Sequence, residues 1–126
     1  MRKEIENWLE QSKEDFISAQ YNFNGKKFYV CAFLCQQSVE KALKALFLFE
    51  KKGEVPQSHS LIYLAINTSI PIKFHSFLRE LTSKYVDTRY PDASVDIPSR
   101  LYDAENTKRI FDKSEEVLIW INQKMK

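Results

Sequence analysis

The sequence predicts an all-α protein: an antiparallel four-helix bundle of up-down-up-down topology with one short extra helix. Two observations carry that expectation. Apolar residues recur at steps of three and four along four separate segments, and no stretch shows the period-two alternation of a half-buried strand. The chain of 126 residues holds only two glycines and four prolines, which punctuate the periodic segments and do not mark out a second domain. Residues 1–126 are therefore read as a single domain.

In the first segment, from Lys3 to Phe23, Ile5, Trp8, Leu9, Ser12, Phe16, Ala19 and Phe23 share one face, and Lys3, Glu6, Glu10, Lys13 and Glu14 lie elsewhere on the wheel. Asn24-Gly25 after a helical run reads as a left-handed C-cap, and so short a turn sends the next helix back antiparallel.

The stretch from Lys26 to Lys52 organises the rest. Phe28, Cys31, Ala32, Cys35, Val39, Ala42, Leu43, Leu46 and Phe49 fall in one arc about 120° wide and form a core face. Gln36, Gln37, Glu40, Lys41 and Lys44 make a polar window on the other side, yet Tyr29, Val30, Phe33, Phe47 and Leu48 flank it above and below. A helix this apolar is normally buried on most sides, so the window should face a subunit interface, a ligand or a gap to water. The flanking Phe33 and Phe47, with Gln37 and Glu40, are the expected interface of a homodimer, since an exposed apolar patch is most simply covered by a second copy.

Gly53 and Pro56 then stop the chain, and Ser58 or Ser60 can cap a short helix through about Asn67 with Leu61, Leu64 and Ala65 inward. From Pro71 to about Tyr85, Phe74, Phe77, Leu78, Leu81 and Tyr85 give the third long helix, with Pro in its first turn. Residues 87–102 hold two prolines and no period, and a loop of that length in a small domain is usually functional or mobile. Asp103 can cap the last helix, whose inward side is Ile110, Phe111, Ser114, Val117, Leu118, Ile121 and Met125.

With 44% apolar residues the chain can bury one sizeable core, and its net charge of +2 is too small to draw a polyanion through bulk electrostatics. The N-terminus lacks an apolar signal core, and six polar residues interrupt the 28–49 segment, so neither a signal peptide nor a membrane span is expected and the setting is cytoplasmic. Cys31 and Cys35 are four apart on the apolar arc, poorly placed for a disulfide and well placed for packing. With His59 and His75 they match no usual zinc-ligand spacing, so no metal and no cofactor is expected.

No Ser or Cys has a nucleophile context. His59, at a helix start without a sequence-local partner, reads more readily as structural, and His75 as solvated. Arg89-Tyr90-Pro91-Asp92 lies just past a helix in the long loop, where Arg89 can meet an anion and Tyr90 can stack or plug the bundle end. Lys41 and Lys44 would add charge to such a site if the loop folded over the polar window, and Tyr85 would add stacking surface.

Taken in order, W8-x6-D15-x3-A19, Y29-x-C31-A32-F33-x2-Q36-Q37-x2-E40-K41-x2-K44-A45-L46, S58-H59-S60-L61-x2-L64 and Y85-x3-R89-Y90-P91-D92 resemble the HEPN domain (higher eukaryotes and prokaryotes nucleotide-binding), in its branch of small stand-alone prokaryotic proteins. The resemblance spans nearly the whole chain. It implies a four-helix bundle, often homodimeric, whose gene commonly accompanies a minimal nucleotidyltransferase as a toxin-antitoxin-like pair. Some relatives bind nucleotides and others are metal-independent ribonucleases with an R-x4-6-H motif. That motif is missing here, because no histidine follows His75. The expected function is thus a non-catalytic protein that binds a nucleotide, or RNA, through Arg89, Tyr90, Lys41, Lys44 and Tyr85, and partners a nucleotidyltransferase. A ribonuclease toxin using an atypical base such as His59, and a purely structural protein-binding adaptor, are the alternatives.

Overall fold

A computed structural model describes residues 1–93 and 96–126, and every regular element among them is helical. Helix α1 spans Lys3–Asn24 and α2 spans Phe28–Lys51. The short α3 (Leu61–Ile66) follows, then a 3-10 turn at Ile72–Phe74 leads into α4 (His75–Thr82) and α5 (Lys84–Asp87). A second 3-10 turn (Pro91–Ala93) precedes α6 (Pro98–Leu101), and α7 (Ala104–Lys124) completes the chain. The bundle is α1, α2, the α4–α5 pair and α7, with α3 as the extra helix.

The second helix is the hub: α1, α3, α5, α6 and α7 all pack against it. Its inner side puts Cys31, Ala32, Cys35, Val39, Ala42, Leu43 and Leu46 at zero exposure, where they meet Leu61, Leu64, Leu78, Leu81 and Ile121. Against α1 the approach is close because small residues line the seam. Ser12 Oγ donates to the Ser38 carbonyl and Ser38 Oγ donates to the Ser12 carbonyl, both at 2.7 Å, so neither buried hydroxyl lacks a partner. Phe16 stacks on Phe111 with ring centroids 4.5 Å apart, tying α1 to α7.

Several local expectations change. The left-handed residue after α1 is Lys26 (φ 62°), not Gly25, whose φ is −83°. Lys52 (φ 57°) likewise ends α2 before Gly53 is reached. Phe49, expected in the core arc, is exposed, and the adjacent Leu48, expected beside the polar window, is buried in its place. The third long helix is interrupted at Ser83. Thr82 Oγ1 donates to the Leu78 carbonyl and accepts from the Leu61 amide, fixing α4 to the start of α3 where the break falls. The 87–102 segment is less irregular than expected: it holds a 3-10 turn and α6, and Tyr102 is buried. Part of that expectation falls on residues 94 and 95, outside the described residues. His75 is half-buried, with Nε2 buried and unpartnered, and is not a solvated ring.

Two expectations hold in atomic detail. Ser60 caps α3 by accepting from the Tyr63 amide, and Asp103 caps α7 in a reciprocal box with Asn106.

Candidate functional site

The polar window of α2 is covered by the protein itself. Gln36, Glu40 and Lys44 succeed one another on one stripe and are all buried, at 0%, 4% and 7% exposure. Glu40 is their centre. Its Oε1 accepts from Gln36 Nε2 at 3.2 Å and lies 3.0 Å from His59 Nδ1, and its Oε2 accepts from Lys44 Nζ at 3.1 Å. Beside an ammonium the carboxylate is an acceptor only, so Nδ1 of a neutral His59 carries the proton and Nε2 remains an acceptor for solvent or a ligand. The His59 side chain is 54% exposed, so it is the accessible end of an otherwise buried network.

The network runs on toward α1. Gln37 donates to Gln36 Oε1 and accepts from Lys41, whose ammonium lies 2.6 Å from Asp15 Oδ2; Gln11 donates to the other Asp15 oxygen. Lys44 also sits over the Trp8 ring at 5.4 Å. Trp8, Asp15, Gln36, Gln37, Glu40, Lys41, Lys44 and His59, dispersed in sequence, therefore form one connected system.

Two backbone devices hold His59 in place. The Ser60 amide donates to Ser58 Oγ and the His59 carbonyl accepts from Gln36 Nε2, which pins the approach to α3 on the face of α2. The ring itself stacks on Tyr85 at 4.0 Å with 15° between planes.

Tyr85 also contacts Arg89. The guanidinium carbon of Arg89 lies 4.8 Å from the Tyr85 ring centre, 5.2 Å from that of Tyr90 and 5.4 Å from that of Phe33. The buried Thr88 bonds back to the Lys84 carbonyl, and the Arg89 and Tyr90 amides both donate to the Val86 carbonyl, so the residue is presented from a closed turn. Cation–π contact uses the ring faces and leaves the in-plane N–H donors of the guanidinium unspent. Arg89 makes no ion pair among the described residues. Chemically, this is a fixed, undercommitted cation beside an oriented imidazole and three aromatic rings, a set suited to an anion carrying a flat group.

Of the residues expected to bind a nucleotide, Arg89, Tyr90 and Tyr85 come together. Lys41 and Lys44 lie in the adjoining network but are engaged by Asp15 and Glu40, so their charge is largely compensated locally. Of the expected interface residues, Glu40 is buried within the chain, Gln37 is half-buried in the network, and Phe33 is covered by Tyr85 and Arg89 of its own chain. The covers differ: His59 on the approach to α3 meets Glu40, Gln37 is tied into the network that runs to α1, and α5 with the turn after it lies over Phe33. Phe47 is half-buried. His59, which reads as structural in the sequence, has its partner Glu40 on another element, 19 positions away. The only sequence signal for it is that Gln36, Glu40 and Lys44 share a stripe on a helix too apolar to be solvated.

The described residues hold no group of three or more His, Cys, Asp or Glu side chains able to bind a metal. None of their helices is long and apolar enough to cross a membrane.

Comparison with known proteins gives a consistent picture. A family model described as HEPN domain matches residues 5–124. Among solved structures, TT1696 from Thermus thermophilus is 26% identical with a TM-score of 0.88, the match covering 98% of this chain and 99% of that one. ST0689, described as an archaeal HEPN homologue, is 26% identical with a TM-score of 0.81 over 99% of this chain and 100% of that one. No curated protein matches the chain.

Proposed function

The chain belongs to the HEPN domain family, and from that premise we propose that it binds a nucleotide, or the end of an RNA, at the Arg89 site, without cleaving it, in partnership with a minimal nucleotidyltransferase in the cytoplasm. The observation that carries the binding reading is the state of Arg89. Three rings fix its guanidinium, and no acidic side chain among the described residues neutralises it. A phosphate supplies the acceptors that fork lacks, and His59 Nε2 and the Tyr85 and Tyr90 rings border the space where a ribose or base would follow. The nucleotidyltransferase partnership rests on the family resemblance alone.

Calorimetric titration with ATP, GTP, CTP, UTP and inorganic phosphate tests the binding claim. Saturable binding that Arg89→Ala abolishes supports it; absence of binding to all five at millimolar concentration defeats it. Co-purification with the product of a neighbouring nucleotidyltransferase gene tests the partnership.

One observation favours a second reading. The His59–Glu40 pair has the form of an imidazole oriented by a buried carboxylate, the arrangement a general acid–base group requires. In that reading the same site cleaves RNA, and His59→Ala abolishes cleavage while leaving nucleotide binding within a few fold.

A further inference from the structure

Two helices of the bundle leave a space between them. Among the described residues α4 packs on α3 and α5, whereas α7 packs on α2 and α1. The flanks that α4 and α7 turn to each other are joined by the ion pair of Glu80 with Arg109. Between the 3-10 turn that leads into α4 and the second half of α7 a crevice of about 420 Å³ remains. That volume lies within the range of small-molecule sites, and the gap between helices of a bundle is one of the places where such sites form.

The walls of the crevice are aromatic. Phe77, 8% exposed, and the half-buried Phe74 come from the α4 side, and the half-buried Trp120 comes from α7. Phe74 and Trp120 are held by packing against the core, yet none of the three rings meets another aromatic ring among the described residues. The Trp120 indole N–H donates to no described residue, and its nitrogen is not sealed from solvent. A flat ring entering here finds aromatic surface for offset or edge contacts and a donor that is still unspent.

Charge at the rim decides which ring. Lys73, Lys113 and Glu116 stand there, and none of them makes an ion pair among the described residues. Lys73 Nζ lies instead over the Phe74 ring, 5.2 Å from its centre. Two ammoniums against one carboxylate leave a single positive charge. A monoanion balances it. A cation meets repulsion from both lysines, an uncharged ring leaves them unanswered, and a polyphosphate brings more charge than the rim can match and is repelled by Glu116.

We propose that the α4–α7 crevice binds a small aromatic carboxylic acid, with its ring among Phe74, Phe77 and Trp120 and its carboxylate at Lys73 and Lys113. The proposal is independent of what the Arg89 site binds.

Proton–nitrogen correlation spectra of the isotope-labelled full chain test it, because two tryptophans give two indole signals, which Trp8→Phe assigns. Phenylacetate and indole-3-acetate should move the Trp120 signal saturably, with a Kd below about 1 mM, and leave the Trp8 signal in place. Tryptamine, which carries the same ring with the opposite charge, and acetate, the acid without the ring, should each bind at least tenfold more weakly. Lys73→Glu/Lys113→Glu should raise the Kd of both acids at least tenfold, and because both lysines are exposed the fold is kept. A Kd above about 1 mM for both acids, or no shift of the Trp120 signal, overturns the proposal. A shift that tryptamine or acetate reproduces at the same concentration overturns it too, since charge and ring would then not act together. Affinity that survives the two lysine substitutions does the same, by placing the acid elsewhere.

Discussion

Nδ1 of His59 lies 3.0 Å from Oε1 of Glu40, which joins an exposed ring on the approach to α3 to a carboxylate buried in the middle of α2. Glu40 holds Lys44 by its other oxygen, and both side chains of that ion pair are under 10% exposed. Removing the carboxylate strands a buried ammonium. Glu40→Ala should therefore destabilise the fold by about 3 to 5 kcal/mol, measured by urea denaturation. Replacing both partners, as Glu40→Leu with Lys44→Met, should recover most of that loss, because the desolvation cost of both charges disappears with them. A double variant no more stable than Glu40→Ala would show that the cost lies in packing and not in the orphaned charge.

The Arg89 site separates charge from shape. Arg89→Lys keeps a cation but loses the planar fork and the stacking over Phe33, Tyr85 and Tyr90. Nucleotide affinity should fall by about 1 to 3 kcal/mol in calorimetric titration, while the melting temperature stays within a few degrees because the residue is exposed. Unchanged affinity with a much lower melting temperature would instead make Arg89 and Tyr90 a structural plug of the bundle end.

How far the sequence reaches follows from which partners are local. The four apolar stripes, the Asp103 cap and the central role of α2 are legible because helix period and capping are written in residues three or four apart. The break at Ser83 is not, since it accompanies Thr82 accepting a hydrogen bond from Leu61, 21 residues away. The left-handed turn falls at Lys26 and not at the expected Gly25 because glycine is merely the residue that tolerates such a φ best, and here the chain places it one position too early. Arg89 and Tyr90 are legible as an Arg and an aromatic in a loop. His59 is not, because its meaning comes from Glu40 and Tyr85, which only folding brings to it.

Cys35 offers a pH test of the core. A hydrogen bond with Cys31, burial and the neighbouring Cys31 charge raise its thiol well above the ordinary value, with Ser114 acting weakly the other way. Burial, and then the charge of Asp87, raise the Tyr102 phenol too. In both cases the native state keeps a proton that the unfolded chain releases, so the contribution to stability is intact below the unfolded pKa and is lost as pH rises past it. Unfolding free energy should be flat near neutrality and decline above about pH 8.5, where free thiols ionise, by up to about 1.4 kcal/mol per pH unit per proton, and more steeply once phenols titrate near about 10. Cys35→Ala should lessen the earlier part of the decline and leave the later part. Ellman's reagent at pH 8 should find no reactive thiol in the native protein and two in denaturant, since both cysteines have zero exposure.

The site also makes a prediction about RNA in which geometry and proton chemistry point in different directions. His59 has an oriented ring and an accessible Nε2, which favours proton transfer. Cleavage without a metal needs more than one such group, however: a base must take the 2′-hydroxyl proton while an acid protonates the leaving oxygen. His75, the other histidine, is half-buried with its Nε2 enclosed, and Lys44, the ammonium nearest in the network, is buried and bound to Glu40. Arg89 is always protonated and cannot serve as the acid at neutral pH. One proton carrier with no complement should bind RNA and leave it whole. Incubating the purified protein with 5′-labelled structured and unstructured RNA in the presence of a chelator should show retention on a filter and no new bands. His59→Gln, which keeps a hydrogen-bonding group without a titratable proton, should then retain RNA within a few fold of wild type, and Arg89→Ala should lose it. If wild type produces fragments that His59→Gln does not, a second copy of the chain or the RNA itself supplies the missing proton, and the His59–Glu40 pair is catalytic after all.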